Sequence, residues 1–204
     1  MRTVATVGAL RDAVGMGRTV FYTATTLDGY LADEHDSLDW LFKQDVDPEG
    51  PLGYEPFIRG AGAMAMGATT YDWVLDRNER TGDAWAYEIP CWIFTHRDLA
   101  PVTDDVIITT DPVPHVHGRM VEAAGGANGK DLWVVGGGDL AAQFAEHGLL
   151  DEVVVSIAPV TLGAGRPLFP RRFDLALLEH ARNGDFLCAR YAVRGPLAAG
   201  SLDT

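Results

Sequence analysis

Asp131-Leu132-Trp133-Val134-Val135-Gly136-Gly137-Gly138-Asp139-Leu140-Ala141-Ala142-Gln143-Phe144 is the stretch on which the fold turns. Leu132 to Val135 is short, apolar, β-branched and aromatic, and breakers bound it, so it reads as a buried strand. Leu140 and Phe144 recur at i, i+4 and predict a helix packed on a sheet. The glycines between them free the backbone and let a ligand come close. A helix opening there aims unpaired N–H groups outward, which favours an anion such as phosphate. The same spacing also suits a plain strand-to-helix turn that needs small residues.

Outward from this stretch, the junction recurs. Ala63 to Met66 reads as a central strand, and Gly67-Ala68-Thr69-Thr70-Tyr71 starts a helix whose threonines cap it or reach a ligand. Pro90 to Thr95 is a strand ending in His96-Arg97, and Val106 to Thr110 is another. Thr19 to Thr26 is the first strand, and Asp28-Gly29 after it carries a hairpin signal. Residues 33–51 form an acidic, proline-broken loop with one amphipathic turn at Leu38 to Phe42. A short helix runs from near Gly53 to Arg59, residues 76–87 read as a charged loop, and Gly118 to Ala124 fits a modest helix. Glu152 to Pro159 is strongly β, and a glycine loop covers Thr161 to Phe169. Phe173 to Ala181 and Asp185 to Val193 pair through Asn183-Gly184. Strand–helix alternation followed by a hairpin predicts an α/β fold: a mixed, mostly parallel sheet, helices on both faces, and an antiparallel edge. The expected division is an N-terminal extension over 1–18, one domain over 19–195 and a tail over 196–204.

The 204 residues carry 29 acidic and 16 basic side chains, a net charge of −13. That argues against nucleic acid and anionic membranes as partners, because both need a basic surface. Any bound phosphate must be held by a local site working against the global field. Cys91 and Cys188 each sit in an apolar run with no C-x-x-C, as buried thiols do. With no signal-peptide core and no run of transmembrane length, a cytoplasmic location is expected.

Several motifs fail. The glycine triplet comes late in the chain, without the acidic partner of a Rossmann fingerprint. Gly129-Lys130 precedes a strand instead of following one, so no P-loop exists. No serine lies in G-x-S-x-G. His115 and His117 lack a third metal ligand in sequence and read as loop histidines, so no metal is expected. What remains is a set of strand ends, Gly67 to Tyr71, Thr95 to Arg97 and Gly136 to Asp139, where open α/β sheets bind ligands. Arg97 suits a 2′-phosphate, or is a solvated loop end. Asp28, Asp39 and Glu55 are the candidate proton donors, with the hairpin turn as the competing role of Asp28. Trp40 covers a substrate ring or anchors its loop.

Thr25-Thr26-Leu27-Asp28-Gly29, Met66-Gly67-Ala68-Thr69-Thr70-Tyr71, Val135-Gly136-Gly137-Gly138 and the run Pro159 to Phe169 occur in one order. In this the chain resembles the dihydrofolate-reductase-like family, and within it stand-alone relatives of the reductase domain of the bifunctional riboflavin-biosynthesis deaminase–reductase. The resemblance spans about Arg18 to Val193. It implies a three-layer α/β/α fold, NADPH as cofactor, a small-molecule substrate and a homodimer. It implies that Gly67 and Thr70 form a G-x-x-T cofactor motif, and that Thr95, His96 and Arg97 hold the adenosine 2′-phosphate. Gly136, Gly137, Gly138, Asp139 and Leu140 match the pyrophosphate turn. Asp28 matches the loop beside nicotinamide and substrate, with Glu55 as a second carboxylate and Thr26, Trp40 and Leu162 on the substrate side. The activity implied is hydride transfer from NADPH to a pterin-like, aminopyrimidine-like or carbonyl compound. The reference reaction is 5-amino-6-(5-phosphoribosylamino)uracil reduction in riboflavin biosynthesis. The alternative is a nucleotide- or flavin-binding protein of the same fold without turnover. No H-x-E or P-C-x-x-C deaminase motif is present. The acidic loop over 33–51 makes a phosphorylated substrate less comfortable.

Overall fold

In a computed structural model, residues 17–126 and 129–197 are described. Most of the expected extension and tail, residues 1–16 and 198–204, lies outside them. The run Leu132 to Val135 sits in β6 (Asp131–Gly136), flanked in parallel by β1 (Thr19–Thr26) and β3 (Ala61–Gly67). β4 (Cys91–Phe94) and β5 (Val106–Thr109) continue the sheet beyond β3. On the other side β7 (Glu152–Ala158) joins β1 in parallel. The hairpin of β9 (Phe173–Asn183) and β10 (Phe186–Pro196) adds antiparallel strands, giving the order β5-β4-β3-β6-β1-β7-β10-β9.

Successive strand residues face opposite sides. Ala63, Ala65, Leu132, Val134 and Trp92 join one core, with Val113, Val116 and Met120 of α3 (Val113–Ala123) and Leu140, Ala141 and Phe144 of α4 (Gly138–Glu146). Met64, Met66, Cys91, Ile93 and Trp133 join the other. There they meet Tyr54, Phe57 and Ile58 of α1 (Tyr54–Gly60) and Tyr71 and Leu75 of α2 (Ala68–Thr81). The result is the expected three-layer α/β/α arrangement with a mostly parallel mixed sheet and a C-terminal hairpin.

Local expectations shift in several places. The turn at Asp28-Gly29 forms, with Gly29 N–H donating to the Thr26 carbonyl at 3.0 Å and Gly29 at φ 82°. Yet β2 (Tyr30–Ala32) pairs with β8 (Arg166–Pro167), not with β1. Both edges of β1 are already filled by β6 and β7. α2 runs on through the charged residues to Thr81, where Gly82 closes it at φ 76°. Those charges are its solvent face. α3 starts at Val113, five residues before the expected Gly118, because Pro114 falls in its first turn, where a missing N–H costs nothing. His115 and His117 are therefore helical and diverge. His117 is buried, its Nε2 3.0 Å from the Thr19 hydroxyl, whereas His115 is exposed near Asp111. Leu38 to Phe42 makes turns only, and the hairpin turn falls at Gly184-Asp185, between paired Asn183 and Phe186. Arg18, expected in the extension, bridges the strand starts through Asp131 at 2.9 Å and Glu152 at 3.1 Å.

Candidate functional site

β3 and β6 are neighbours, but the chain leaves them in opposite directions. From β3 it passes through α2 on one face towards β4; from β6 it passes through α4 on the other face towards β7. Such a switch point opens a crevice at the carboxyl ends of the strands. Each helix begins directly after a glycine, Gly67 and Gly137, and neither has a side-chain cap. Their first-turn N–H groups and positive dipole ends are left to whatever binds in the crevice. A Cβ on Gly138 would lie 2.4 Å from the carbonyl oxygens of Pro167 and Leu168, so only glycine lets the turn dock there. A Cβ on Gly136 would meet the Thr70 hydroxyl at 3.1 Å, which shows how closely the two helix starts approach. The Gly136–Gly137 peptide is cis.

The crevice is a cavity of about 600 Å³ with a largely apolar wall. That is the size range of small-molecule and cofactor pockets. Gly67, Thr70, Gly136, Gly137, Gly138, Asp139 and Leu140 line it together, with Gln143 beside them. Trp73 and Phe94 flank this end. On the β1 side stand Thr23, Ala24, Leu31, Leu38, Trp40 and Leu41. The loop over 33–51 arches across this side. It is held by Phe42 stacked on Trp73 of α2 at 6.1 Å, and by Asn183, which accepts from Asp47 N–H at 3.0 Å. Trp40 packs on Ala158, Phe186 and Cys188 and also lines the cavity.

The other expected site residues are placed differently. Asp28 lies outside the cavity wall. Its carboxylate accepts from the Thr26 hydroxyl at 2.6 Å, Leu162 N–H at 3.0 Å and Gly163 N–H at 2.7 Å. The Thr26 hydroxyl bond, with the backbone donors behind it, holds its pKa below the usual value. Asp28 is thus a clamp between two loops, and an acid so held is a poor proton donor. Thr26 and Leu162 serve that clamp and do not reach the wall. Glu55 is on α1, outside the cavity and 3.9 Å from Arg59; its helix packs on the Tyr22–Trp133 face of the sheet. Asp39 is exposed and faces an outer cleft between the loop and α2. Thr95, His96 and Arg97 leave β4 beside the first turn of α2, because Phe94 pairs with Gly67. The Arg97 guanidinium is held by Asp72 of α2 at 2.6 Å.

Sequence reasoning missed the pair of Asp36 and Arg166, which also lines the cavity. Arg166 Nε donates to one Asp36 oxygen at 2.5 Å and Nη2 to the other at 2.9 Å, across 130 residues of chain. Each partner holds the other in its charged form: Asp36 is lowered and Arg166 raised, chiefly by this hydrogen-bonded contact. Burial pushes the Cys91 thiol up to about 12 and raises Cys188, so neither thiol is a ready nucleophile.

With this geometry in view, a family model for the RibD C-terminal domain matches residues 19–184. The chain belongs to the RibD C-terminal domain family. Among curated relatives, it is 29% identical over 153 residues to the uncharacterized protein YwjB of Bacillus subtilis, covering 74% of this chain and 82% of YwjB. Among solved structures, it matches a Shewanella sp. PV-4 protein whose name places it provisionally in riboflavin biosynthesis. The TM-score is 0.72 at 24% identity, over 87% of this chain and 99% of that one. It also matches the Thermotoga maritima diaminohydroxyphosphoribosylaminopyrimidine deaminase/5-amino-6-(5-phosphoribosylamino)uracil reductase. There the TM-score is 0.60 at 16% identity, over 91% of this chain and 59% of that one. At these identities the structural matches speak for the fold: a RibD reductase-like α/β sheet. Among the described residues, no helix is long and apolar enough to cross a membrane.

Proposed function

We propose that the chain is an NADPH-dependent reductase that transfers a hydride to a small heterocyclic, pterin- or aminopyrimidine-like, or carbonyl substrate. One observation carries the reading. Two uncapped helix N-termini, at Gly67 and Gly137, converge on one cavity at the switch point of the sheet. Membership of the RibD C-terminal domain family supports it at the level of reductase chemistry and riboflavin-type pathways. The residues fit the cofactor's phosphates. N–H groups in the first turns of α2 and α4 can receive a pyrophosphate, with Gly67, Thr70, Gly136, Gly137, Gly138, Asp139 and Leu140 around it. In this reading Thr95, His96 and Arg97, which leave β4 beside α2, take the 2′-phosphate, and Arg97 exchanges its ion pair with Asp72 to do so. When bound, the reduced nicotinamide supplies the hydride. The apolar wall formed by Leu31, Leu38, Trp40 and Leu41 keeps water from the reacting ring.

The second reading, a nucleotide- or flavin-binding protein without turnover, draws on the carboxylates. Both that line the cavity are already engaged by arginines, Asp36 with Arg166 and Asp139 with Arg171 at 2.8 Å. In a reductase, the proton consumed along with the hydride would therefore come from water. Steady NADPH oxidation with any member of a dihydropterin, aminopyrimidine and ketone panel excludes the binder. Saturable binding without turnover across the panel excludes the reductase. Titration followed by tryptophan fluorescence and melting temperature comes first. NADPH at 100 times its Kd stabilises by about 2.7 kcal/mol. Arg97→Ala is expected to weaken NADPH about ten-fold and to leave NADH within two-fold. Equal losses for both cofactors defeat the role given to Arg97.

A further inference from the structure

The β1 side of the cavity has a chemistry of its own. Resting on the reading of the glycine-turn end as the cofactor's, we propose that this side accepts an uncharged, flat, unphosphorylated heterocycle, and that Asp36 and Trp40 set the choice. The wall there is Ala24, Leu31, Leu38, Leu41 and the Trp40 ring, with the Thr23 hydroxyl turned to the neighbouring Ala24 carbonyl at 3.3 Å. Such a surface gains from covering an apolar ring and offers a phosphate nothing.

Charge points the same way. Arg166 is the one cation among the described residues that line the cavity, and Asp36 holds its Nε and Nη2 in a two-pronged pair. A phosphate that reached for Arg166 would have to displace the carboxylate and then lie beside it. Such a pair is strong because both donors and both oxygens are matched. The loop that carries Asp36 adds to the repulsion, with seven acidic residues against one lysine over 33–51. Asp36 thus works as the element that rejects the wrong ligand, as specific sites commonly require.

The attractive element is the Trp40 indole. Trp40 is 6% exposed, and its Nε1 has no hydrogen-bond partner among the described atoms. Trp85 and Trp92 also bury an unpartnered indole nitrogen, but of the three only Trp40 lies in the cavity wall. A buried donor without an acceptor is costly, and in this proposal an acceptor on the ligand ring takes the Trp40 Nε1–H and removes that cost. Ring nitrogens and ring carbonyls supply such acceptors; a plain aliphatic ketone lacks the flat ring to cover the wall.

The test is equilibrium binding of a matched pair, a ribosylaminopyrimidine and its 5′-phosphate ester, measured by calorimetry with and without saturating NADP+. The unphosphorylated member is expected to bind at least ten-fold more tightly. In Asp36→Asn the ratio of the two affinities is expected to shift towards the ester by five-fold or more, because Arg166 is released. In Trp40→Phe both members are expected to weaken about ten-fold with their ratio unchanged. A merely structural role for Asp36 would move both affinities together. Equal binding, preference for the ester, no binding of either member, or an unchanged ratio in Asp36→Asn overturns the inference. NADPH oxidation is followed in parallel: selective binding without oxidation defeats the reductase reading and upholds this one.

Discussion

A Cβ on Gly138 would press on two backbone carbonyls, those of Pro167 and Leu168, and backbone cannot swing aside as a flexible side chain can. Gly138→Ala is therefore expected to cost about 1–3 kcal/mol, the usual range for forcing an atom into a packed site. Urea denaturation reads this, and a midpoint equal to that of wild type would show that the loop over 161–169 gives way. Asp28 teaches a different lesson. Its carboxylate gathers one hydroxyl and two N–H donors, and folding lowers its pKa. The folded protein therefore holds that proton less readily than the unfolded chain. The stability contributed is complete above the unfolded Asp value of about 3.9 and is lost as pH falls through the lower folded value. Asp36 and Glu49 are lowered too, by hydrogen bonds from Arg166 and Arg59, and act with the same sign. Melting temperature recorded against pH is expected to fall steeply in acid for wild type and less steeply for Asp28→Asn. Superimposable acid limbs would remove Asp28 from the account.

At the scale of elements, α4 matters through what seats it. Phe144 is fully buried and meets the edge of Phe94 at 6.1 Å, while Leu140 and Ala141 press on the same core. The helix start at Gly138 can face the cavity only while this stripe stays docked. Phe144→Ala is expected to cost about 3–5 kcal/mol and lower the melting temperature by roughly 10 °C. The surviving folded protein should also bind NADPH less tightly. Unchanged affinity in a destabilised variant would separate the packing of α4 from the geometry of its first turn. α1 is seated comparably, with Phe57 stacked on Tyr22 at 4.3 Å and edge-on to Trp133 at 5.6 Å. It supports the sheet, and its Glu55 is not among the residues that line the cavity.

For the whole molecule, β9 is the strand that ends the sheet on the hairpin side. Leu175, Leu177, Leu178 and Leu187 are exposed on the terminal hairpin, with Leu177 at 55%. Unpaired edges with apolar side chains invite pairing. The homodimer implied by the family resemblance is expected to bury them. Light scattering should give twice the 22.0 kDa chain mass for wild type and the single mass for Leu177→Lys. A monomeric wild type would remove the dimer from the reading.

Much of this was legible in local chemistry. Leu132 to Val135 followed by glycine, Ala63 to Met66 followed by Gly67, and Asn183-Gly184 between two β runs each announce their own geometry, because periodicity and φ preference act over a few residues. From these came the parallel sheet, the late glycine turn and the terminal hairpin. Partners far apart in the chain were not legible. Asp28-Gly29 reads as a hairpin until β6 and β7 fill both edges of β1. Asp28 reads as an acid until Leu162 and Gly163 arrive to claim its oxygens. Asp36 and Arg166 look like ordinary surface charges until the β2–β8 pairing brings them together on the cavity wall. Hydrogen bonds and ion pairs are short-ranged and indifferent to sequence separation, so only the closed fold could settle which polar groups remained free for a ligand.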